Sequence, residues 1–290
     1  MNCHRIALLA AMMEIGVAVA QADDQTNAKI DAKLLALHRA EAKRWEIFVD
    51  PDRTKEAEFV PEPIFRWTNA SRANGQSGAM FVWTYAGRPV ALGGVFSNPE
   101  GDRRVIMHEL HAIGPLRPFP RMKDSEHEWQ PAAAVPLLRL PDAPAPETTP
   151  ARRARQIRQL AGEFSAHTVD DLDVRWQLRL LSRPLYRYES TGSDLIEGAV
   201  FAFVSDAGTD PEIILILEAV KDDAKAFWQY RALRLSISSL YVQYKGKEIW
   251  RSLRDDPTGP FGNPDRTYAL IRDRLIDELP EIRELRDRSR

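Results

Sequence analysis

Pro63-Ile64-Phe65-Arg66-Trp67 recurs as Pro184-Leu185-Tyr186-Arg187-Tyr188, an offset of 121 (184 − 63). The block Gly78-Ala79-Met80-Phe81-Val82-Trp83 recurs as Gly198-Ala199-Val200-Phe201-Ala202-Phe203, an offset of 120 (198 − 78). Farther on, Glu128-Trp129 stands opposite Glu248-Ile249-Trp250. Three blocks in the same order at nearly one spacing describe a chain that contains one unit twice, and self-similarity constrains a fold more than any single motif. The drift of one residue fits a loop difference. Between the copies, Pro131 to Pro150 carries six prolines and no glycine. Proline fixes φ and removes a backbone donor, so this stretch is expected to be an extended, semi-rigid linker.

Each copy opens on helical periodicity. Ile30, Leu34, Leu37, Trp45 and Phe48 share one face of a predicted helix over 27–48, and Ile157, Leu160, Ala161 and Phe164 mark a second over 152–164. Strand patterns follow. Ala79–Tyr85, an Ala86-Gly87 turn and Arg88–Phe96 read as a hairpin, with Arg103–Ile113 after it. The second copy offers Gly198–Ser205, Glu212–Val220, Phe227–Leu235, Leu240–Tyr244 and Lys247–Trp250. Tyr268, Ile271, Leu275 and Leu279 predict a charged C-terminal helix. The expected fold class is therefore α+β, with two tandem units, each a helix packed on a curved antiparallel sheet, cystatin-like or nuclear-transport-factor-like by analogy. One open barrel shared by both copies is the alternative. The expected layout is 1–22 signal peptide, 23–130 first helix-plus-sheet unit, 131–150 linker, 151–254 second unit, and 255–290 charged C-terminal helix and tail.

The N-terminus bounds the compartment. Arg5, an apolar run from Ile6 broken by Glu14, and Ala20-Gln21-Ala22 before Asp23 have the three parts of a cleavable export signal. The expected location is periplasmic or secreted. Cys3 is the only cysteine, so cleavage would leave no disulfide, thiol nucleophile or cysteine-ligated metal. Net charge is −2, which gives no electrostatic footprint for nucleic acid. No segment approaches transmembrane length, and nothing speaks to oligomeric state.

Gly78–Phe96, His108-Glu109-Leu110-His111, Gln156–Ser165 and Leu178–Glu218 with its Gly208-Thr209-Asp210-Pro211-Glu212 turn resemble a group of secreted proteins of planctomycete bacteria. The resemblance implies export and a bacterial source. No activity is attached to that group, so it implies no catalytic residue.

Chemistry-bearing motifs are sparse. His108-Glu109-Leu110-His111 is one residue short of the zinc-protease pattern, whose histidines are four apart on one helical face. On a strand, His108 and His111 point to opposite faces, so His108, Glu109 and His111 are weak metal candidates, and their polarity is expected to mark a solvent face. No cofactor is expected. There is no nucleophile elbow, P-loop or dinucleotide fingerprint. Gly93-Gly94 inside a strand pattern indicates a bulge or a close backbone approach. Arg152, Arg153, Arg155 and Arg158 are expected to form a solvated helix face. Among the carboxylates Glu109, Glu126, Glu128, Glu189, Glu197 and Glu218, no pair is singled out as a glycosidase site would require. Trp67, Trp83, Tyr85, Trp228, Tyr230, Tyr241 and Tyr244 are expected chiefly in the core. The expectation is a non-enzymatic binding or structural protein with an unknown extracytoplasmic ligand. The alternatives are a hydrolase of polysaccharides or esters, or a carrier of an apolar ligand.

Overall fold

The computed structural model describes residues 27–69, 75–127, 129–131, 136–189, 194–205, 209–222, 225–254 and 267–288. The expected signal peptide lies outside them. The chain is mostly β, with 55% strand and 15% helix. Helix α1 spans 27–42. Strands β1 (Trp45–Phe48), β2 (Glu58–Asn69), β3 (Gln76–Tyr85), β4 (Arg88–Glu100), β5 (Arg103–Ala112) and β6 (Phe119–Met122) follow. After β7 (Leu138–Arg139) come α2 (Pro150–Gly162), β8 (Phe164–Val169), β9 (Arg175–Leu180), β10 (Tyr186–Tyr188), β11 (Leu195–Val204), β12 (Pro211–Asp222) and β13 (Lys225–Arg234). The chain closes with β14 (Ser239–Tyr244), β15 (Lys247–Ser252), β16 (Tyr268–Asp277) and α3 (Pro280–Arg288).

These strands make a five-stranded sheet ordered β16-β5-β4-β3-β2 and a nine-stranded sheet ordered β15-β14-β8-β9-β11-β12-β13-β7, with β10 also on β11. A ribbon of β1 and β6 stands apart. The larger sheet turns a corner where β9 meets β11 only at Leu180↔Phe203 and Arg179↔Val204. Beyond that corner β8 and β14 curl back, so Ala166, Leu178, Leu240 and Val242 share one core with Phe201, Leu215 and Trp228. Helix α2 adds Ile157, Leu160 and Ala161 to that core.

The expected α+β pair of helix-on-sheet units is overturned. The two sheets pack against each other through a third core, where Met80, Val82 and Leu92 meet Val200, Ala202, Ile214 and Leu233. Strand β3 also buries Ala79, Phe81 and Trp83 on its other side, against Trp45, Ile47 and Ile106. A sheet buried on both faces needs continuous apolar strands rather than alternating ones. Such burial makes neither copy a closed unit on its own. Nor do the sheets merge into one barrel, since every strand pairing described stays within its own sheet.

Three expected helices are corrected in the same direction. The first ends at 42 and the second at Gly162, and Trp45–Phe48 and Phe164–Val169 are strands. The C-terminal helix over 255–290 is instead β16 followed by short α3. A register shift between Arg272 and Leu275 lets Ile271 and Ile276 face the same core, and this bulge gives a two-residue alternation the look of a helical stripe. Within the 131–150 stretch, expected to be an extended linker, residues 136–149 include a short strand. Leu138 pairs with Tyr230, and Leu140 is buried in the core that the larger sheet forms with α2. Trp129 and Trp250 are not matched in place, because Trp129 lies past β6 outside any strand while Trp250 is inside β15.

The repeated blocks carry a repeated contact. Trp67 pairs with Gly78, and Tyr188 with Gly198. Each ring lies flat over its glycine, so that an added Cβ would stand 2.3 Å from Trp67 Cζ2 and 2.2 Å from Tyr188 Cζ. Aromatic cover of a strand glycine lets the ring take the space that a side chain would fill. Gly198→Ala is therefore expected to cost about 1–3 kcal/mol by overpacking. Urea denaturation measures it, and the cost should shrink in a Tyr188→Ala background. An undiminished cost there would mean that the ring is not its source.

Candidate functional site

Helix α1 crosses the edge of the smaller sheet at the seam with the larger one. Ile30, Leu34 and His38 recur every fourth residue and are all buried, the spacing of one helical face. Beneath this face lies a cleft of about 460 Å³. Trp67 on β2 and Gly78 on β3 line it from the face turned to the larger sheet, Ser77 lines it from the face turned to α1, and Leu181 and Thr209 bring the larger sheet to its wall. The missing Cβ of Gly78 lets the Trp67 indole lie against the strand. Phe65 stacks on that ring at 6.4 Å.

The polar atoms of this cleft are unusual. Trp67 Nε1 and Ser77 Oγ are buried with no hydrogen-bond partner. Buried polar groups are ordinarily paired, with protein or with ordered water. His38 Nε2 lies 3.0 Å from Ser97 Oγ. Burial, with Arg104 and Arg66 nearby, lowers the His38 imidazole to about 3, so it is neutral at ordinary pH. Arg66 is exposed on the rim.

A second cavity, about 210 Å³, lies on the other side of Trp67, and Glu109, Asp210 and Glu212 line it. Burial raises the Glu109 carboxyl to about 8; the Tyr268 hydroxyl bonded to it opposes the shift, and Glu212 and Asp210 add to it.

The sequence cluster on β5 is split by the strand. His108 faces Trp45 and α1, while His111 packs on Tyr268 toward the other sheet. The expected solvent face is corrected, because His108 is 0% exposed and His111 3%. Both faces of β5 are covered.

His108 does meet two carboxylates from elsewhere. Glu41, His108 and Asp273 could offer ligand atoms within 4.8 Å of one another. The chemistry nevertheless closes this group to a cation. Arg44 Nη1 already lies 2.7 Å from Glu41 Oε2 and 2.5 Å from Asp273 Oδ2, at the position a metal would take. Arg274 holds the other Glu41 oxygen at 2.5 Å. The Trp45 indole donates to His108 Nδ1 at 3.2 Å. An indole N–H can only donate, so the neutral imidazole carries its proton on Nε2 and offers no lone pair there. That N–H faces Asp273 Oδ2 at 3.5 Å. Burial, partly countered by Asp273 and Glu41, lowers His108 to about 4.

The remaining candidates are structural. Arg153 of the basic run is buried and pairs with Glu197 at 3.2 Å, and Arg187 joins the same carboxylate. Glu218 is held by three donors from both sheets. Gly93-Gly94 is a close approach, for a Cβ at Gly93 would stand 2.8 Å from the Trp83 ring and one at Gly94 3.4 Å from Trp67. Trp83, Trp228, Tyr230 and Tyr244 are core residues. Sequence reading missed His38, Ser77 and Arg66. The four-residue spacing of Ile30, Leu34 and His38 could have found the first. Neither family models, curated proteins nor solved structures match the chain. Among the described residues no helix is long and apolar enough to cross a membrane.

Proposed function

We propose that this chain is an exported, non-enzymatic binding protein whose ligand sits in the cleft under α1. One observation carries the reading: a cleft of about 460 Å³ with aliphatic and aromatic walls lies between α1, the edge of the smaller sheet and the larger sheet, with the polar side chains of Asp31, His38, Arg66 and Ser77 on its lining. That volume falls within the range of about 300–1,000 Å³ usual for small-molecule sites, and apolar walls with a few fixed polar groups are their usual make-up. The neutral fluorophore N-phenyl-1-naphthylamine tests it. It should bind one per chain, and Leu35→Trp, which fills the cleft from a half-buried wall position, should weaken binding about tenfold or more. Binding that is absent, or unchanged in the filled variant at equal melting temperature, would sink the proposal.

A second reading, a hydrolase, draws on the cavity shared by Glu109, Asp210 and Glu212. At about 210 Å³ that space falls below the range for a substrate site, which places this reading behind the first. Turnover of chromogenic glycosides or esters by the native chain and not by Glu109→Gln would reverse the order.

A further inference from the structure

Resting on the cleft reading, we infer that the ligand is an extended peptide segment that adds as a strand to β2, because the cleft runs along the open edge of the smaller sheet. Among the described residues β2 is the terminal strand of that sheet and pairs with β3 alone. Consecutive residues of β2, Phe65 to Thr68, line the cleft. Side chains alternate across a strand, so Phe65 and Trp67 turn to the larger sheet while Arg66 and Thr68 turn to α1. A cleft touched by both sets follows the edge of the strand. In an antiparallel pair every second residue points its N–H and C=O away from its partner. Along Phe65–Thr68 these outward groups make no hydrogen bond to another segment among the described residues. Upstream the same edge is guarded. Pro61 and Pro63 lack the N–H that a neighbouring strand would use, and Arg39 donates to the Pro61 carbonyl at 2.8 Å. Natural sheets blunt their edges with such devices. Neither device continues past Ile64 among the described residues.

The second copy has the matching place filled. Its strand β10 carries Arg187 at the position of Arg66, and β11 carries Glu197 at the position of Ser77, one residue before the matched glycines. The Glu197 carboxylate joins Arg187 to Arg153 of α2, which ties helix to strand. In the first copy Ser77 leaves Arg66 without that carboxylate, and the gap under α1 stays open. A strand entering this gap is covered on both faces, by Leu34 and Leu35 of α1 on one and by Phe65 and Leu181 on the other. Strands buried on both faces are apolar along their run, so the segment is aliphatic. The exception is the residue beside Arg66. Opposite charges on neighbouring strands favour pairing, so an acidic side chain belongs there. Arg66 bears on His38, two helical turns from the exposed Asp31, so the Asp31 carboxylate stands about 10 Å farther along. The occupant is thus an extended aliphatic segment of another protein, with one Asp or Glu, held by strand addition.

Displacement of bound N-phenyl-1-naphthylamine from the full chain by short peptides, acetylated and amidated at their ends, tests this. Val-Ile-Glu-Val-Ile should displace the fluorophore, and Val-Ile-Lys-Val-Ile should compete about threefold less well. Arg66→Glu changes an exposed group and should invert that order while fluorophore binding stays as it is. Backbone N-methylation reads the strand itself. An added strand uses only alternate N–H groups, so the first peptide is methylated either at its odd or at its even amides. One isomer should lose about tenfold or more and the other stay within about threefold. Equal effects in the two isomers, an unchanged order in Arg66→Glu, or no displacement by any peptide while the fluorophore binds overturns the strand inference and leaves the cleft reading standing. A free chain that sediments as a dimer and is split by the peptide gives the edge to a second copy and overturns the assignment to a partner protein. Failure of the fluorophore to bind removes the cleft reading and this inference with it.

Discussion

Arg88→Met should destabilise the chain by about 3–5 kcal/mol, the cost of stranding a buried carboxylate. Arg88 opens β4 directly after the Ala86-Gly87 turn, whose φ angles of 51° and 77° bring the strands into a tight hairpin. From there its guanidinium crosses to the larger sheet, with Nε 3.1 Å from Glu218 Oε1 and Nη2 2.5 Å from Oε2. Tyr188 donates to the same carboxylate at 2.8 Å and Gln229 at 2.7 Å. Glu218 is only 2% exposed, so water cannot replace the lost partner. The bidentate pair joins the two sheets alongside their apolar packing and the buried bond from Arg231 to the Ile113 carbonyl, so its loss should loosen their docking. Urea denaturation of Arg88→Met, Glu218→Met and the double variant measures the coupling. The double variant should be more stable than the sum of the single losses predicts, by about 2 kcal/mol. A loss below about 1 kcal/mol in Arg88→Met would mean that the pair behaves as an exposed surface bridge.

Stability is expected to peak near pH 6.5, with a steeper fall on the acid side. Burial is the leading cause of the lowered values of His38, about 3, and of His108 and His111, about 4. Below 6.5 the unfolded chain takes up protons at these three positions and the folded chain does not. The stability they contribute is present above 6.5 and is lost as pH falls toward their folded values. Glu109 runs the other way. Its folded value of about 8 keeps it protonated where the unfolded chain has ionised, so stability is lost as pH rises from 4.5 to 8. Between 6.5 and 5 the three histidines take up protons in the unfolded chain against one at Glu109 in the folded chain. As the unfolded histidines are only half protonated at 6.5, the net loss is about 3 kcal/mol at about 1.4 kcal/mol per proton and pH unit. Between 6.5 and 8 only Glu109 acts. With its carboxyl facing a cavity the loss there is about 1–2 kcal/mol. His167, lowered by burial as well, adds to the acid limb. Chemical denaturation from pH 4.5 to 8.5 gives the profile. Glu109→Gln should flatten the alkaline limb and leave the acid limb in place. An unchanged alkaline limb in that variant would show that Glu109 ionises normally in the folded chain.

Much of the local structure was legible because it depends on near neighbours. The Ala86-Gly87 and Lys245-Gly246 turns, the hairpins and the apolar strands around Phe81 and Phe201 follow from turn chemistry and side-chain type. The repeat was legible too, and Trp67 over Gly78 and Tyr188 over Gly198 show what its matched residues do. Periodicity misled where two periods coincide. Trp45 and Phe48 fit a helical stripe, yet Trp45↔Met122 pairing through Phe48↔Phe119 holds the segment extended.

What the sequence determined by itself was the tight turns, the hairpins and the recurrence of the matched blocks, since each is settled within a few residues or by simple comparison of the chain with itself. The balance of strand over helix was not among them, because segments such as Trp45–Phe48 are held extended by distant strands. Tertiary structure alone decided which faces are inward. His108 and His111 lie on opposite faces of β5 and are both buried, because α1 covers one side and the second sheet the other. The cleft likewise combines Leu34 and His38 from α1, Trp67 and Ser77 from β2 and β3, and Leu181 from the larger sheet. No local pattern records that meeting, because the free energy that creates it comes from burying the faces of two sheets against each other.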